Sequence, residues 1–503
     1  MPERELPGRD KRAVRHPAPE GAGSVARTAG VVGGGIAGIA AAVGLAERGV
    51  KVTLYEAGDR LGGRVAAWPL GDGRTMSRGF HAFFRQYYNL RGLLKRLDPD
   101  LGFLVPIEDY PLQRPDGMRD SFTGLTPTPP WSVMQFVLRS PAFTPRTFVK
   151  VNVPAALELM RVRFPETYSA YDGESAAAFL DRLRFPDAAR DLALEVFARS
   201  FFADPSEFAA GELIAMFHTY FIGSAEGLLF DVPNDDYDAV LWAPLGRYLA
   251  SLGVDVRTGT SADAVEAGDE GSAVVTASGR EHFDAVVLAA DPRSARELIE
   301  PLAVDERWKG QVGATVNAPP FVVVRLWLDR LVNPERPAFL GTSGYGPLDN
   351  VSVLERFEAG AAQWSKEHGG SVVELHAYAA PEDITWCSEA ADAIVERLEF
   401  ELHRIFPETA AATVVEREVL IEDDCTLITP SGWDERPTVA TPSPSLKLAG
   451  DWLRCDYPVA LMERAATTGL IAANELLAQW GAQGHDLWTV PMRGLLGPRA
   501  TAR

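Results

Sequence analysis

The stretch that most restricts the possible folds is AGVVGGGIAGIAAAVGLAERG, residues 29 to 49. A short apolar strand ending at Val32 runs into Gly33, Gly35 and Gly38 in G-x-G-x-x-G spacing, then into a helix with Ala42 and Leu45 on its inner face. The first glycine permits a tight turn, the second lets the backbone approach a pyrophosphate, and the third lets helix and strand pack closely. The helix N-terminus, with Ile36 and Ala37 in its first turn, then faces the anion. A second strand, VKVTLY, ends before Glu56, eighteen residues after the last glycine. A carboxylate at that distance accepts the hydrogen bonds of an adenosine ribose and repels a 2'-phosphate. Strand, glycines, helix and acid together predict a Rossmann-type dinucleotide site, and FAD and NAD share that signature.

With 503 residues the chain exceeds a single core, so two domains or one domain with a large insertion are expected. Its 49 Lys and Arg against 69 Asp and Glu give a net charge of -20, which repels nucleic acid. The three cysteines, Cys387, Cys425 and Cys455, are far apart and odd in number, indicating neither a disulfide framework nor zinc and fitting a reducing compartment. No metal is expected, because His218 and His376 lack ligand spacing. Both read first as core residues or cavity-facing ones, His376 on an alternating strand. No apolar run is long enough to span a bilayer. Residues 1–29, rich in charge, Pro and Gly, read as a disordered leader.

After Glu56 comes AGDRLGGRV, where Ala57, Gly62, Gly63 and Arg64 can bring backbone amides and a guanidinium to a flavin pyrophosphate. Glu56 with Arg60, Gly62, Gly63 and Arg64 resembles the start of the FAD-dependent amine oxidase and carotenoid desaturase superfamily. LKLAGDWLRCDYPVALMERAATTGLIAANELL, residues 446–477, resembles its closing motif. That resemblance implies FAD, with Gly450 and Asp451 at the ribityl and pyrophosphate region and Leu461 and Met462 at the helix N-terminus facing the flavin ring. It also implies an α/β fold: a discontinuous Rossmann-type FAD-binding domain with a second substrate domain of mixed sheet and helices. The FAD-binding parts would be residues 30–100, 236–300 and 426–480. Residues 101–235 would form a mainly helical, membrane-facing insertion, 301–425 the substrate-domain sheet, and 481–503 a C-terminal tail.

RGFHAFFRQYYNLRGLLKR, residues 78–96, places Phe80, Phe83, Phe84, Tyr87, Tyr88 and Arg91 at the spacing of one helix face. Such a stripe reads equally as core packing. GFHAFFRQYYNLRGLL is, however, similar to carotene desaturases, and most of all to the isorenieratene synthase group, which desaturates beta-carotene and moves a ring methyl. LDNVSVLERFEAGAAQWSKEHGGSVVELHAYA and GHDLWTVPMRG resemble that group too. The resemblance implies that Gly79 and Phe80 approach the flavin; Phe80, Phe83, Phe84, Tyr87 and Tyr88 would line a pocket where a ring cation survives, and His81 would take a proton. Proton acceptor and hydrogen-bonded structural residue both remain open for His81. Arg464 after Glu463, with no lysine in the flavin region, makes amine oxidation the weaker reading. Acyclic carotene desaturation, redox-neutral carotenoid isomerisation and lipid escort are the rivals. The electron acceptor stays unknown.

A carotene substrate implies peripheral contact with the inner face of the cell membrane from the cytoplasm. Residues 131–164 carry Arg139, Arg146, Lys150, Arg161 and Arg163 against Glu158 alone, interleaved with apolar side chains. They read as an interfacial anchor or as a basic face over a core.

Overall fold

The computed structural model describes residues 6–107, 109–143, 149–186, 201–268, 271–381 and 389–497. A five-stranded parallel sheet forms from Asp255–Arg257, Lys51–Tyr55, Thr28–Val32, Ala285–Leu288 and Leu446–Leu448, in that spatial order. Its central strands are continuous apolar runs because both faces are covered. The helix Ile36–Ala46 is buried on every side. It packs against Leu461–Gln479 through small residues, since a Cβ at Gly469 would stand 2.2 Å from the Ala37 carbonyl oxygen. On the sheet's other face, the antiparallel strands Ala262–Gly268, Gly271–Thr276 and Gly279–Phe283 bring Phe283 and Val274 against Gly30. The sheet therefore gathers three chain segments separated by hundreds of residues.

A second, seven-stranded sheet runs in the order Val414–Glu422, Phe321–Leu328, Val372–Ala377, Asn350–Val353, Phe339–Thr342, Leu112–Gln113, Arg119–Asp120. Only the pairing of Phe339–Thr342 with Leu112–Gln113 is parallel. Val322, Val324 and Leu326 join a core with Leu398 and Leu402 of the helix Glu389–Ile405. Strand alternation sends Phe321, Val323 and Arg325 to the opposite face. The register sets His376 beside both Val323 and Asn350, and Glu374 beside Arg325.

Three expectations need correction. The aromatic stripe is not one helix: Phe83–Phe84 is a strand paired with Phe230 and Asp231, and the helix begins only at Tyr88. Strand pairing to a distant segment has overridden the local period, and Gly79, at a φ of 96°, lies outside helical backbone. The leader is ordered from residue 6: Val14–His16 pairs with Leu487–Thr489, and Asp10 is buried and accepts from the Ala225 amide. The insertion holds helices such as Trp131–Arg139 and Ala210–Phe217 but also strands, of which Leu112–Gln113 and Arg119–Asp120 extend the second sheet. Among the described residues no helix is long and apolar enough to cross a membrane.

Candidate active site

One cavity of about 1140 Å³ lies between the two sheets. Gly33, Gly35, Ile36, Ala37, Glu56, Ala57, Gly62, Gly63 and Arg64 line one end, and Gly450, Asp451, Leu461 and Met462 line its middle. Gly38 lies behind the turn, where a Cβ would meet the Gly33 carbonyl oxygen at 1.9 Å. The helix Ile36–Ala46 has no side-chain cap at Gly35, so its N-terminal amides are directed at the cavity. A Cβ on Gly35 would meet only the Gly63 Cα, 3.9 Å away, and would otherwise occupy the cavity itself. Gly62, at a φ of 112°, is required for a second reason: its Cβ would come within 2.5 Å of Trp242 Nε1.

Glu56 accepts from the amides of Gly34 at 2.6 Å and Gly58 at 2.7 Å, which orients its carboxylate at the cavity edge. Asp291 caps the helix Pro292–Ile299 and extends the same end of the cavity. Arg64 and Asp451, assigned separately from sequence, form a bidentate pair of 2.6 and 3.0 Å, with Thr426 donating to the same carboxylate at 3.0 Å. Burial would raise Asp451, but the Arg64 guanidinium holds it below the usual carboxylate range. Leu461 begins its helix at a φ of 52°, a left-handed conformation rare for leucine, where the helix turns its N-terminus to the cavity. An uncapped helix N-terminus, a glycine-cleared floor and an oriented carboxylate are what a dinucleotide with a pyrophosphate needs.

The other end is aromatic. Phe80 stacks on Phe339 with centroids 4.4 Å apart, and Phe84 meets Tyr220 at 4.5 Å and Phe230 at 5.3 Å. Tyr87, Tyr110 and Tyr378 complete much of this wall. His81 lies on the cavity and its Nδ1 stands 2.8 Å from the Gly79 carbonyl oxygen. A carbonyl can only accept, so Nδ1 carries the hydrogen and Nε2 keeps its lone pair. Burial pushes this imidazole down to about 4, although the Gly79 carbonyl favours the protonated ring. The Tyr237 hydroxyl donates to the same carbonyl and accepts from the His81 amide, both at 3.0 Å.

Phe83 does not line the cavity, and neither does Tyr88. Tyr88 is buried with Ala13 and Val490, and its hydroxyl meets Ser224, because the strand-to-helix break turns it away from Phe84. Arg85 and Arg91 both pair with buried Asp231, at 2.9 and 2.7 Å. His218 is a core residue, 1% exposed, bonded to the Pro491 carbonyl, whereas His376 lines the cavity. Arg464 forms a buried ion pair with Glu212 at 2.5 Å, and Arg436 reaches the same carboxylate at 3.2 Å. Glu463 accepts from the Asn89 and Leu90 amides, both at 2.9 Å, tying the closing helix to the helix Tyr88–Leu94. Sequence reading missed Tyr110, Tyr220, Phe230, Phe339 and Tyr378. Only Tyr378 carried a local signal, as the next alternate position after His376. Among the described residues no group of three or more side chains is arranged to hold a metal.

A two-sheet fold with this glycine-lined, acid-edged cradle defines an FAD-dependent oxidoreductase. The chain belongs to the family of flavin containing amine oxidoreductases, whose profile matches residues 36–477. It is 52% identical over 497 residues to a carotenoid phi-ring synthase of Streptomyces griseus, covering 97% of this chain and 95% of that one. A carotenoid phi-ring synthase of Chlorobaculum tepidum is 28% identical, covering 92% and 90%. A 15-cis-phytoene desaturase of Narcissus pseudonarcissus is 25% identical over 90% of this chain and 79% of its own. The fold is that of cyclohexylamine oxidase from Brevibacterium oxydans, with a TM-score of 0.66 at 15% identity over 90% and 98% of the two chains.

Proposed function

We propose that this protein converts the beta-ionone rings of beta-carotene into aromatic trimethylphenyl rings, giving a carotenoid of the isorenieratene type. The likeness to a phi-ring synthase along 97% of the chain carries this reading. The continuity of the cofactor cradle with an aromatic cavity supports it. A beta-ionone ring has a quaternary carbon with two methyls, so aromatisation requires one methyl to migrate as well as loss of two hydrides and two protons. Gly35, Glu56, Gly63 and the Arg64–Asp451 pair would hold FAD, which when bound would supply the two-electron acceptance.

The chain supplies the rest. Phe80, Phe84, Tyr87 and Phe230 present ring faces that attract a cation without attacking it. They also exclude the water that would trap the cation. His81, its tautomer set by Gly79, offers Nε2 for one ring proton. The 1,2-methyl shift takes place within the substrate and asks only that the ring be held still.

The segment around the helix Trp131–Arg139 is the membrane contact in this reading, at the inner face of the cell membrane. Trp131, Leu138 and Val149 are 57%, 80% and 85% exposed, and Arg139, Lys150, Arg161 and Arg163 interleave with them. Arg146 lies outside the described residues. Stacked rings connect this helix to the cavity, Phe136 on Phe122 at 5.1 Å and Phe122 on Tyr110 at 4.9 Å, which supports substrate uptake from lipid on this side.

Purified FAD-loaded protein with beta-carotene tests the reaction. One and then two trimethylphenyl ends are expected, gamma-carotene reacting only at its cyclised end and lycopene not at all. A carbon label in one geminal methyl is expected on the neighbouring ring carbon. Conversion of lycopene or an acyclic precursor with beta-carotene untouched overturns the reading in favour of an acyclic desaturase. Isomerisation without use of an electron acceptor overturns it in favour of an isomerase.

A further inference from the structure

Each ring must lose two protons, and His81 accepts only one of them. His376 is packed against Gly79, so close that a Cβ on Gly79 would meet its Cε1 at 2.8 Å. Its ring is not isolated. Nε2 lies 2.8 Å from Glu374 Oε1, and Nδ1 lies 3.0 Å from the Tyr378 hydroxyl. Arg325, 2% exposed, donates from Nε at 2.9 Å and from a terminal nitrogen at 2.6 Å to Glu374 Oε2, fixing Glu374 as a carboxylate. Burial would raise that carboxyl, but the Arg325 guanidinium holds it at about 2.

An ionised carboxylate only accepts, so His376 carries its hydrogen on Nε2 and leaves the Nδ1 lone pair for the Tyr378 hydroxyl. The Phe80 amide, 3.3 Å from the same Nε2, is the weaker claim on that atom. Asn350 donates to the Tyr378 oxygen at 2.8 Å, so the tyrosine's own hydrogen points to His376. Tyr378, His376 and Asn350 all line the cavity. The strand ends immediately afterwards, Ala379 holding a left-handed φ of 50°.

We propose that Tyr378, His376 and Glu374 form a proton relay that accepts the second ring proton; the role rests on the ring-aromatising reading above. After hydride loss leaves a ring cation, a C–H bond beside the cationic carbon breaks and its electron pair becomes the ring double bond. The proton bonds to the Tyr378 oxygen while the tyrosine's own O–H breaks and an N–H forms at His376 Nδ1. The resulting imidazolium is stabilised by the Glu374 carboxylate, which stays ionised. The proton transfer itself is redox-neutral and needs no further oxidant; the preceding hydride loss would draw on the flavin's two-electron capacity. Two acceptors in one cavity, His81 and the Tyr378–His376 pair, give each of the two protons its own exit.

The experiment compares Tyr378→Phe, His376→Gln and His81→Ala with the wild type, all purified with FAD. Flavin absorbance is expected to stay near wild type in Tyr378→Phe, and aromatic product to form about 100-fold more slowly. His81→Ala is expected to leave beta-carotene unreacted and Tyr378→Phe to accumulate a ring diene, the reverse order overturning the assignment of the second proton to the relay. Wild-type rates in Tyr378→Phe, or the same stalled species in both variants, overturn the relay while leaving the ring-aromatising reading intact. Nitrogen-15 NMR of histidine-labelled protein, with His376→Gln for assignment, tests the relay even when beta-carotene is not the substrate. A neutral His376 with hydrogen on Nε2, whose Nδ1 signal moves in Tyr378→Phe, supports it; hydrogen on Nδ1 overturns it.

Discussion

Replacing His81 with glutamine removes a titrating group whose pKa in the folded protein lies well below that in the unfolded chain. Burial pushes the imidazole from 6.5 down to about 4. Above pH 6.5 neither state holds the extra proton and nothing is lost. Between 6.5 and about 4 the unfolded chain is protonated and the native ring is not, so stability falls as the pH falls. From those two values the loss due to His81 is about 2 kcal/mol at pH 5, approaching about 3 kcal/mol once both states are protonated. Urea unfolding of FAD-saturated protein at pH 7.5 and pH 5 measures it: the wild type should lose about 2 kcal/mol more than His81→Gln between those conditions. Equal losses in the two proteins would refute the depressed pKa of the His81 imidazole. The catalytic counterpart is that the step in which His81 takes its proton should not titrate near 6.5. His218, also pushed down to about 4 by burial, is an internal control. His218→Gln should change the acid stability in the same way without altering the order in which products form.

Gly35→Val should abolish FAD retention, read as flavin absorbance per protein, because its side chain enters the cradle; Glu56→Ala should lower retention by removing the oriented carboxylate. Glu212→Gln should destabilise the protein by about 3 to 5 kcal/mol, measured by urea unfolding, since it leaves Arg464 and Arg436 buried without their shared charge. Phe84→Ala should impair conversion of beta-carotene more than it impairs FAD binding. Tyr88→Ala should instead lower thermal stability, by about 3 to 5 kcal/mol as for other buried aromatics, with turnover per folded molecule retained.

The cofactor end was legible because each requirement is local. A turn that must admit a pyrophosphate needs Gly33, Gly35 and Gly38 within six residues, and an acid after the next strand follows from the βαβ unit. The closing motif was legible for the same reason, since strand, Gly450, Asp451 and helix are contiguous. The 3.6-residue spacing of the aromatics misled, because period reports helix only where no distant strand competes for the backbone. Phe230, nearly a hundred and fifty residues further on, pairs with Phe84 and decides otherwise.

The sequence by itself therefore determined the glycine-rich turn with its following acid, the α/β class and the flavin, all encoded within short contiguous windows. Only the tertiary structure decided which aromatic rings face the cavity, that Arg64 closes on Asp451, that Tyr88 turns away, and that His81 and His376 line one cavity. Those outcomes depend on strand register and sheet packing between segments far apart in the chain. No local pattern carries that information, because the free energy that selects it comes from contacts that exist only after folding.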